Sequence, residues 1–401
     1  MRALLITHWY KPVKSPVKRM GRIADFLSQK YKVTVITSLP SYPTGVLPPE
    51  YRGKLYDKSK DGKIDIIRVW DYPTPNKGFL KRAISHFIFV ISSAIAALTL
   101  PPQDLVIVSS PSFFTGLSGV FASLIGKRNF IFDVRDLWPD SAFELGYKVK
   151  KPIKITLKAL EKFFYRRAKK IFCATGEIRR TIINMGIPKN RVVTLVNTVD
   201  TEVFKPVKIP RKKLGLGSDD FVIVYVGSLT QVQNLKTAIE AANLIKHFSK
   251  IKFLMIGEGE DKENLIEQAQ KLKLENITFI DGQPTEKIIE YINASDLALI
   301  SLSTNKFFSD NALPTKTSEY LGCAKPILAC AGSNLKELIE QNHVGKVVKP
   351  GDSKGLAKAI NEIYKNPQEL KIMSANARKL AIEQFSDQHF FQILFDSLKD
   401  L

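Results

Sequence analysis

A chain of 401 residues exceeds what one hydrophobic core usually supports, so we expect two domains of roughly 200 residues each. With 44% hydrophobic and 25% charged residues, no low-complexity tract and three scattered cysteines, the composition argues against a disordered chain, a solenoid, a disulfide framework and a zinc site. The net charge of +21 is concentrated in residues 1–205, which hold 35 Lys and Arg against 15 Asp and Glu, so this half is expected to face a polyanion, either nucleic acid or an anionic membrane.

The first half alternates short β-rich apolar runs with amphipathic stretches, the pattern of parallel α/β units. The apolar run after Arg2 is too short for a signal-peptide core, which with the scattered cysteines favours a cytoplasmic protein. His8, near the end of the first strand, is a candidate catalytic residue, although a lone histidine there is more often structural. The predicted strands are Ala3–Thr7, Lys32–Ile36, Ile64–Val69, Leu105–Val108, Phe130–Asp133, Lys170–Ala174 and Val192–Val196.

Residues 79–100 form an apolar stretch that nearly reaches transmembrane length. Lys81 and Arg82 precede the apolar run, and His86 and several serines interrupt it. Because it would have to sit inside the α/β pattern, we favour a buried or interface-grazing helix over a spanning one.

Polar and aromatic residues follow the strand Phe130–Asp133. Ligands of open parallel sheets sit beyond the carboxyl ends of the strands, which places Asp136 at the predicted site. Its carboxylate could orient an acceptor hydroxyl, with Arg135 and Trp138 shaping the pocket. The alternative is that Asp136 or Asp140 caps the helix expected near Pro139.

The segment Tyr147–Lys170 carries ten Lys and Arg against only Glu161, interleaved with apolar residues. This pattern is typical of a basic amphipathic helix that lies on anionic lipid headgroups, and the alternative is an ordinary solvated face. Together with Lys81 and Arg82, the residues predicted to contact membrane or acceptor are Lys150, Lys151, Lys154, Lys158, Arg166 and Arg167.

The second half repeats the α/β rhythm after a polar, Pro-containing segment around residues 198–210. Its predicted strands are Val222–Val226, Lys252–Ile256, Ile277–Ile280, Leu297–Ile300, Pro326–Ala329 and Lys346–Val348, and beyond Asp352 the pattern is helical. We therefore predict an acceptor-binding, membrane-facing Rossmann-like domain at 1–205, a nucleotide-sugar-binding Rossmann-like domain at 206–375 facing it across a cleft, and a helical segment at 376–401 packing back towards the first.

The most informative segment runs from Ala312 to Gly322. Pro314 suits the first turn of a helix that ends near Gly322, which places Lys316 where the helix dipole disfavours a cation unless an anion binds there. Glu319 projects from the same face and could accept hydrogen bonds from ribose hydroxyls. The alternative is that Lys316 and Glu319 pair with each other on a solvated helix.

This segment, with Lys325 and Pro326, resembles the nucleotide-binding motif of retaining family 4 GT-B glycosyltransferases. In that family the lysine holds the diphosphate and the glutamate the ribose. The glycine turns Gly227-Ser228-Leu229 and Gly257-Glu258-Gly259 resemble its phosphate loop and G-x-G turn, and Asn197, Asp200 and Phe204 its interdomain junction. The donor-binding residues that the resemblance implies are Gly227, Ser228, Gln233, Gly257, Asn311, Leu313, Pro314, Thr315, Lys316 and Glu319.

Three positions depart from the family pattern. Asn311 stands where the family has the first glutamate of an E-x7-E pair, and Ser228 stands where an arginine is common, with Gln233 or Asn234 in place of a nearby lysine. The glycine pair of the first N-terminal loop is replaced by the stretch at residues 14–19. Lys316 is therefore expected to carry most of the diphosphate charge.

The string Asp136–Ser141, DLWPDS, resembles a signature of a bacterial and archaeal subgroup that builds surface polysaccharides and includes fucosaminyltransferase-like members. The resemblance implies a retaining hexosyl- or N-acetylhexosaminyltransferase with a UDP-sugar donor and a lipid-linked glycan acceptor, peripheral on the inner face of the membrane. No cofactor or metal site is predicted, although metal dependence stays open, and the absence of RNA-stacking and helix-turn-helix patterns disfavours a nucleic-acid partner. Two alternatives remain open, a UDP-sugar 2-epimerase-like enzyme of the same fold and a basic nucleic-acid-binding protein.

Overall fold

The structure is a computed structural model that describes residues 1–12, 18–42, 44–74, 79–110, 112–125, 129–147, 149–399 and 401. Residues 14–17 of the first loop and Lys148 of the basic segment lie outside this part of the chain. The described residues form two compact units, the first comprising Met1–Val196 with Ile393–Leu401 and the second Asn197–Gln392.

The first unit is built on an eight-stranded sheet. Its strand order is β3-β4-β2-β1-β5-β6-β7-β8, parallel throughout except for the antiparallel pair β3 and β4. The nearly continuous burial of β1, β2, β5 and β6 shows that helices cover both faces. The strands are Arg2–Ile6 (β1), Lys32–Ser38 (β2), Tyr56–Asp61 (β3), Ile64–Val69 (β4), Leu105–Ser109 (β5), Asn129–Val134 (β6), Lys170–Cys173 (β7) and Val192–Thr194 (β8).

The helices of this unit pack closely where small residues allow it. A Cβ on Gly116 of α3 would lie 2.7 Å from the Phe164 ring of α5, so this glycine lets α5 approach α3. The helices are Lys18–Leu27 (α1), Phe79–Leu98 (α2), Thr115–Leu124 (α3), Asp140–Glu144 (α4), Lys151–Arg167 (α5) and Gly176–Asn184 (α6).

The second unit holds a six-stranded parallel sheet in the order β11-β10-β9-β12-β13-β14. Its strands are Phe221–Val226 (β9), Ile251–Ile256 (β10), Ile277–Ile280 (β11), Leu297–Ser301 (β12), Ile327–Cys330 (β13) and Gly345–Val348 (β14). The helices that alternate with them are Lys236–Leu244 (α7), Lys262–Lys271 (α8), Thr285–Ala294 (α9), Lys306–Asn311 (α10), Lys316–Gly322 (α11) and Ser333–Gln341 (α12).

The end of the chain is helical, as predicted. Its helices are Ser353–Tyr364 (α13), Pro367–Gln384 (α14) and Asp387–Leu398 (α15). Helix α15 starts in the second unit and ends in the first, where the Asn129 side chain donates a hydrogen bond to the Leu401 carbonyl oxygen (2.8 Å).

The predicted parallel strands are confirmed to within two residues at each end, and one strand was missed. Strand β3 consists of Tyr-Asp-Lys-Ser-Lys-Asp, which has no apolar alternation, and its side chains are largely exposed. It forms because a turn at Gly62, with φ +58°, folds it back onto β4 as an antiparallel edge strand. An exposed edge strand leaves no burial pattern for a sequence to show.

Candidate functional site

Two glycine turns lie in contact at the carboxyl ends of neighbouring strands of the second unit. Gly227 follows β9 with φ +139°, and Gly257 follows β10 with φ +149°. The Gly227 amide donates to the Ile256 carbonyl oxygen (2.9 Å), and the Gly257 amide donates to that of Ile280 (3.0 Å). A Cβ on Gly257 would overlap the Gly227 carbonyl oxygen, so backbone conformation and space both require glycine here.

The Lys316 ammonium is buried against these turns. Its Nζ lies 3.8 Å from the centroid of the Tyr225 ring, and a Cβ on Gly227 would come within 2.7 Å of it. Among the described residues no hydrogen-bond partner reaches this Nζ. Burial lowers the pKa of Lys316 to about 7, and the Glu319 carboxylate opposes this shift. A buried cation without an acceptor is unfavourable, and an anion bound beside it would remove that penalty.

Two tyrosines that the sequence did not single out shape this pocket. The Tyr225 hydroxyl donates to the Ser228 carbonyl oxygen (2.7 Å) and fixes the turn after β9. The Tyr320 hydroxyl accepts a hydrogen bond from the Val226 amide (2.8 Å) and ties α11 to β9. Burial raises the pKa of both phenols, so both stay neutral. Tyr225 lies in a strand that is buried throughout, and Tyr320 lies on the buried side of α11. Both therefore look like ordinary core residues in the sequence.

The other predicted donor residues lie after β9, at the end of α10 and around the start of α11. The Ser228 side chain is exposed, and Gln233 Oε1 lies 3.4 Å from the Tyr225 hydroxyl. The Asn311 amide donates to the Phe307 carbonyl oxygen (2.8 Å), while its buried Oδ1 has no partner in the described part of the chain. The segment that leads into α11 comprises Leu313, Pro314 and Thr315, and the helix itself begins at Lys316. Glu319 lies within this helix and is half-buried.

In the first unit, Arg135 and Asp136 follow β6 as predicted. The Arg135 amide donates to Ser110 Oγ (2.9 Å), and burial lowers the pKa of its guanidinium. Crowding by protein atoms raises the pKa of the Asp136 carboxyl, and Arg135 opposes that shift. The Asp136 side chain is nevertheless exposed, so water still solvates it and we expect a carboxylate at neutral pH. Neither Asp136 nor Asp140 caps α4, because no side chain accepts a hydrogen bond at its start.

His8 lies in a buried network. Its Nε2 is 2.8 Å from Asp71 Oδ2, which also accepts from the Ser85 hydroxyl (3.1 Å), and its ring stacks on Phe89. His8 is only 2% exposed, so its ring positions neighbouring elements, and the predicted catalytic role has no support from accessibility.

A second buried cluster escaped sequence analysis. The Arg19 guanidinium donates to both carboxylate oxygens of Asp133 (2.6–3.1 Å) and to the Leu195 carbonyl oxygen, and the Ser109 hydroxyl donates to Asp133 as well (3.0 Å). This cluster joins α1 to the carboxyl ends of β5, β6 and β8. Arg19 is 114 positions from Asp133 and 176 positions from Leu195 in the chain, and no local sequence pattern spans such separations.

The cations predicted to contact membrane or acceptor differ in how exposed they are. Lys158 was predicted as a membrane or acceptor residue, but its ammonium is held by Asp140 (2.8 Å) and Glu161, so it is no free surface charge. Arg82 is half-buried. The remaining predicted cations are exposed, and these are Lys81, Lys150, Lys151, Lys154, Arg166 and Arg167.

Helix α2 is the one helix of the described chain that is long and apolar enough, by length and composition, to cross a membrane. Phe89 and Ser93 are buried within the unit, while an apolar stripe on the opposite side is exposed. The stripe has helical spacing and consists of Ile84, Phe87, Ile91, Ile95 and Leu98.

Two family models match nearly the whole chain between them. Residues 18–198 match the glycosyl transferase 4-like domain, and residues 207–380 match the glycosyl transferases group 1. WcaI of Escherichia coli strain K12, assigned to colanic acid biosynthesis as a glycosyl transferase, is 25% identical over 85% of this chain and 86% of its own. The capsular polysaccharide biosynthesis glycosyltransferase CapM of Staphylococcus aureus is 24% identical over 84% of this chain and 87% of its own.

Solved structures share the architecture at lower sequence identity. The Anabaena protein Alr3699/HepE in complex with UDP and glucose superposes with a TM-score of 0.71 at 18% identity, with both chains fully covered. Sucrose-phosphate synthase from Thermosynechococcus elongatus gives a TM-score of 0.76 at 16% identity, covering 100% of this chain and 98% of its own. With the two sheets described above, these similarities establish the GT-B fold.

Proposed function

The chain belongs to the group 1 glycosyltransferases with a glycosyl transferase 4-like N-terminal domain, and on that premise we propose that it moves a sugar, with retention of configuration, from a nucleotide diphosphate sugar to a lipid-linked glycan. The single observation that carries this proposal is the buried Lys316 ammonium, which lacks an acceptor among the described residues and abuts Gly227. A diphosphate placed there would supply the missing negative charge.

The proposed chemistry needs charge stabilisation at the leaving group. The bond between the sugar C1 and the diphosphate oxygen breaks while the acceptor hydroxyl oxygen attacks the same face of C1. The hydroxyl proton passes to the departing phosphate oxygen, so no Asp or Glu nucleophile is required. Lys316 would stabilise the charge that develops on the diphosphate, and Asp136 would orient the acceptor hydroxyl.

We propose UDP as the nucleotide, since the HepE structure that shares this fold holds UDP. The sugar is proposed to be a hexose or an N-acetylhexosamine. Asn311 Oδ1, buried and without a partner in the described chain, supports an added hydrogen bond from a hydroxyl or N-acetyl N–H group of that sugar.

The acceptor is proposed to be a carrier lipid of cell-surface polysaccharide synthesis, at the inner face of the cell membrane. WcaI and CapM, which act in colanic acid and capsular polysaccharide biosynthesis by their descriptions, support this choice. The exposed cations of α5 and the apolar stripe of α2 support a peripheral membrane position. The DLWPDS string supports the fucosaminyltransferase-like subgroup.

A direct test is to incubate the purified protein with a panel of nucleotide sugars and polyprenyl-diphosphate-linked glycans, and to determine product anomericity by NMR. The proposal expects transfer with the α-configuration of the donor kept. Interconversion of donor epimers without acceptor, or an inverted product, would contradict it.

Replacement of Glu319 tests the proposed ribose contact. We expect Glu319→Ala to raise the KM for the nucleotide sugar by about tenfold, the typical loss for one hydrogen bond to a charged group, with the fold unchanged. Glu286→Ala, at an exposed position of α9, is the matched control and should keep the wild-type KM. Equal KM values for the two variants would remove Glu319 from the donor site.

Charge neutralisation tests the membrane contact. We expect replacement of Lys150, Lys151, Lys154, Arg166 and Arg167 by Gln to reduce binding to vesicles of anionic lipid strongly, because each basic residue near the surface contributes about 1 kcal/mol. Nucleotide affinity should not change. Five exposed lysines of the second unit serve as the charge-matched control, namely Lys236, Lys271, Lys336, Lys358 and Lys379. Vesicle flotation that falls equally in both variants would contradict the predicted surface.

A further inference from the structure

An apolar cavity lies inside the first unit, separate from the donor pocket of the second. We call it the aromatic pocket. Its interior is narrow, about 70 Å³, so it can hold one small apolar group of a larger ligand. Its walls come from α2, the segments after β5 and β6, α4 and α5. Most of its lining is apolar, with Phe113, Phe114, Trp138 and Phe143 supplying the rings.

One cation lines this apolar space, and a second lies against a ring of its wall. Arg82 lines the wall, half-buried, and no carboxylate of the described residues pairs with it. The Lys154 ammonium lies 4.6 Å from the centroid of the Phe143 ring, where the ring face attracts it without neutralising it. Positive charge at the pocket is therefore available to an anionic ligand.

The imidazole in the wall is uncharged. Burial lowers the pKa of His86 to about 2, and the neighbouring His8 and Arg82 contribute to the shift. His86 therefore stays a neutral imidazole at physiological pH and adds no charge to the pocket. The combination of aromatic walls, one neutral imidazole and two nearby cations fits a branched apolar group joined to an anionic head.

The position of the pocket connects it to the acceptor. Trp138 follows Asp136, the residue proposed to orient the acceptor hydroxyl, by two positions. Arg82, Ala83 and His86 line the pocket from the first turns of α2, the helix whose apolar stripe is exposed. The pocket and the apolar stripe therefore share one helix, with the pocket at its first turns.

We propose that the aromatic pocket binds the first isoprenoid unit of a polyprenyl diphosphate carrier, with Arg82 and Lys154 contacting its diphosphate. The inference rests on the proposed function, since it identifies the lipid part of the acceptor. It adds a site on the protein that binds the carrier itself. This site would recognise the lipid independently of the glycan that the carrier bears.

The test measures lipid binding by the full chain without sugar transfer. Equilibrium dialysis compares geranylgeranyl diphosphate, geranylgeraniol and inorganic diphosphate. We expect Arg82→Gln to weaken geranylgeranyl diphosphate by about tenfold and leave the alcohol unchanged, because only a charge-assisted contact is lost. Ala83→Trp should weaken both lipids by about tenfold or more, since the indole fills the space of the chain.

Two matched controls accompany these variants. Arg52→Gln removes an exposed arginine of the same unit, and Ala94→Trp places an indole at a half-buried site of α2 away from the pocket. Both should bind geranylgeranyl diphosphate as the wild type does. Wild-type binding by both Arg82→Gln and Ala83→Trp would overturn the proposal, as would inorganic diphosphate binding as tightly as the lipid. If lipid binding follows the expected pattern while no donor sugar is transferred, the proposed function fails and the pocket stands.

Discussion

Replacing Lys316 by Met is expected to abolish sugar transfer while leaving the free protein at least as stable as the wild type. Loss of one preorganised charge at a leaving group typically lowers kcat/KM by about 100-fold or more. The stability of the free protein should not fall, because the buried Nζ has no acceptor in the described chain and its desolvation is uncompensated. A merely structural lysine would show the opposite behaviour.

The pH dependence of this stability difference has a defined sign. The pKa of Lys316 is about 7 in the folded protein, below its value of 10.5 when unfolded, so the unfolded chain binds more protons between these values. Burial of the charged Lys316 therefore lowers the free energy of unfolding of the wild type most below pH 7, and this loss disappears as pH rises towards 10.5. Urea unfolding of both proteins at several pH values should show the advantage of Lys316→Met shrinking over this range.

Lys325 provides the matched control, because it is a second lysine of the same unit whose pKa burial lowers. Its Nζ donates to the carbonyl oxygens of Asn293 (2.9 Å) and Ser295 (2.7 Å), so Lys325→Met leaves both acceptors unsatisfied. We expect Lys325→Met to destabilise the protein, in contrast to Lys316→Met. If Lys316→Met destabilises as much as Lys325→Met and retains transfer, the ammonium is structural and the donor site lies elsewhere.

The sequence predicted the elements of this donor site better than its interior. The order of parallel strands and the place of Lys316 at a helix start follow from local signals such as apolar runs and Pro314. The stacking of Lys316 on Tyr225 joins residues 91 positions apart, and nothing in the periodicity of β9 distinguishes Tyr225 from its buried neighbours. Burial of the ammonium is therefore a tertiary property that the motif could not show.

In the first unit, too, the surroundings of single side chains could not be predicted from the sequence. Lys158 has the same local context as Lys154, but α5 turns it towards Asp140, so only one of the two remains free. His8 was placed correctly at the end of β1, but its burial against Phe89 depends on α2. Charge counts predict that a surface is basic, and only the packing of helices decides which cations remain on it.

Gly257→Ala is expected to destabilise the protein strongly. The new Cβ would need φ near +149° and would overlap the Gly227 carbonyl oxygen, which is backbone and cannot rotate away. We expect a loss of more than about 3 kcal/mol in the free energy of unfolding, measured with urea. Gly215→Ala, in the same unit at φ +73° with open space around it, is the control and should cost about 1 kcal/mol.

Comparison with Gly227→Ala separates stability from donor binding. At Gly227 the new Cβ would approach the Lys316 ammonium, the movable end of a long side chain, although φ +139° still strains the backbone. Gly227→Ala should therefore lower the free energy of unfolding less than Gly257→Ala does. It should still weaken UDP binding, because it displaces the ammonium proposed to bind the diphosphate. Calorimetric titration with UDP measures the binding. Tight UDP binding by Gly227→Ala would show that the ammonium does not need its place against the turn, and the diphosphate would then have to bind elsewhere in the second unit.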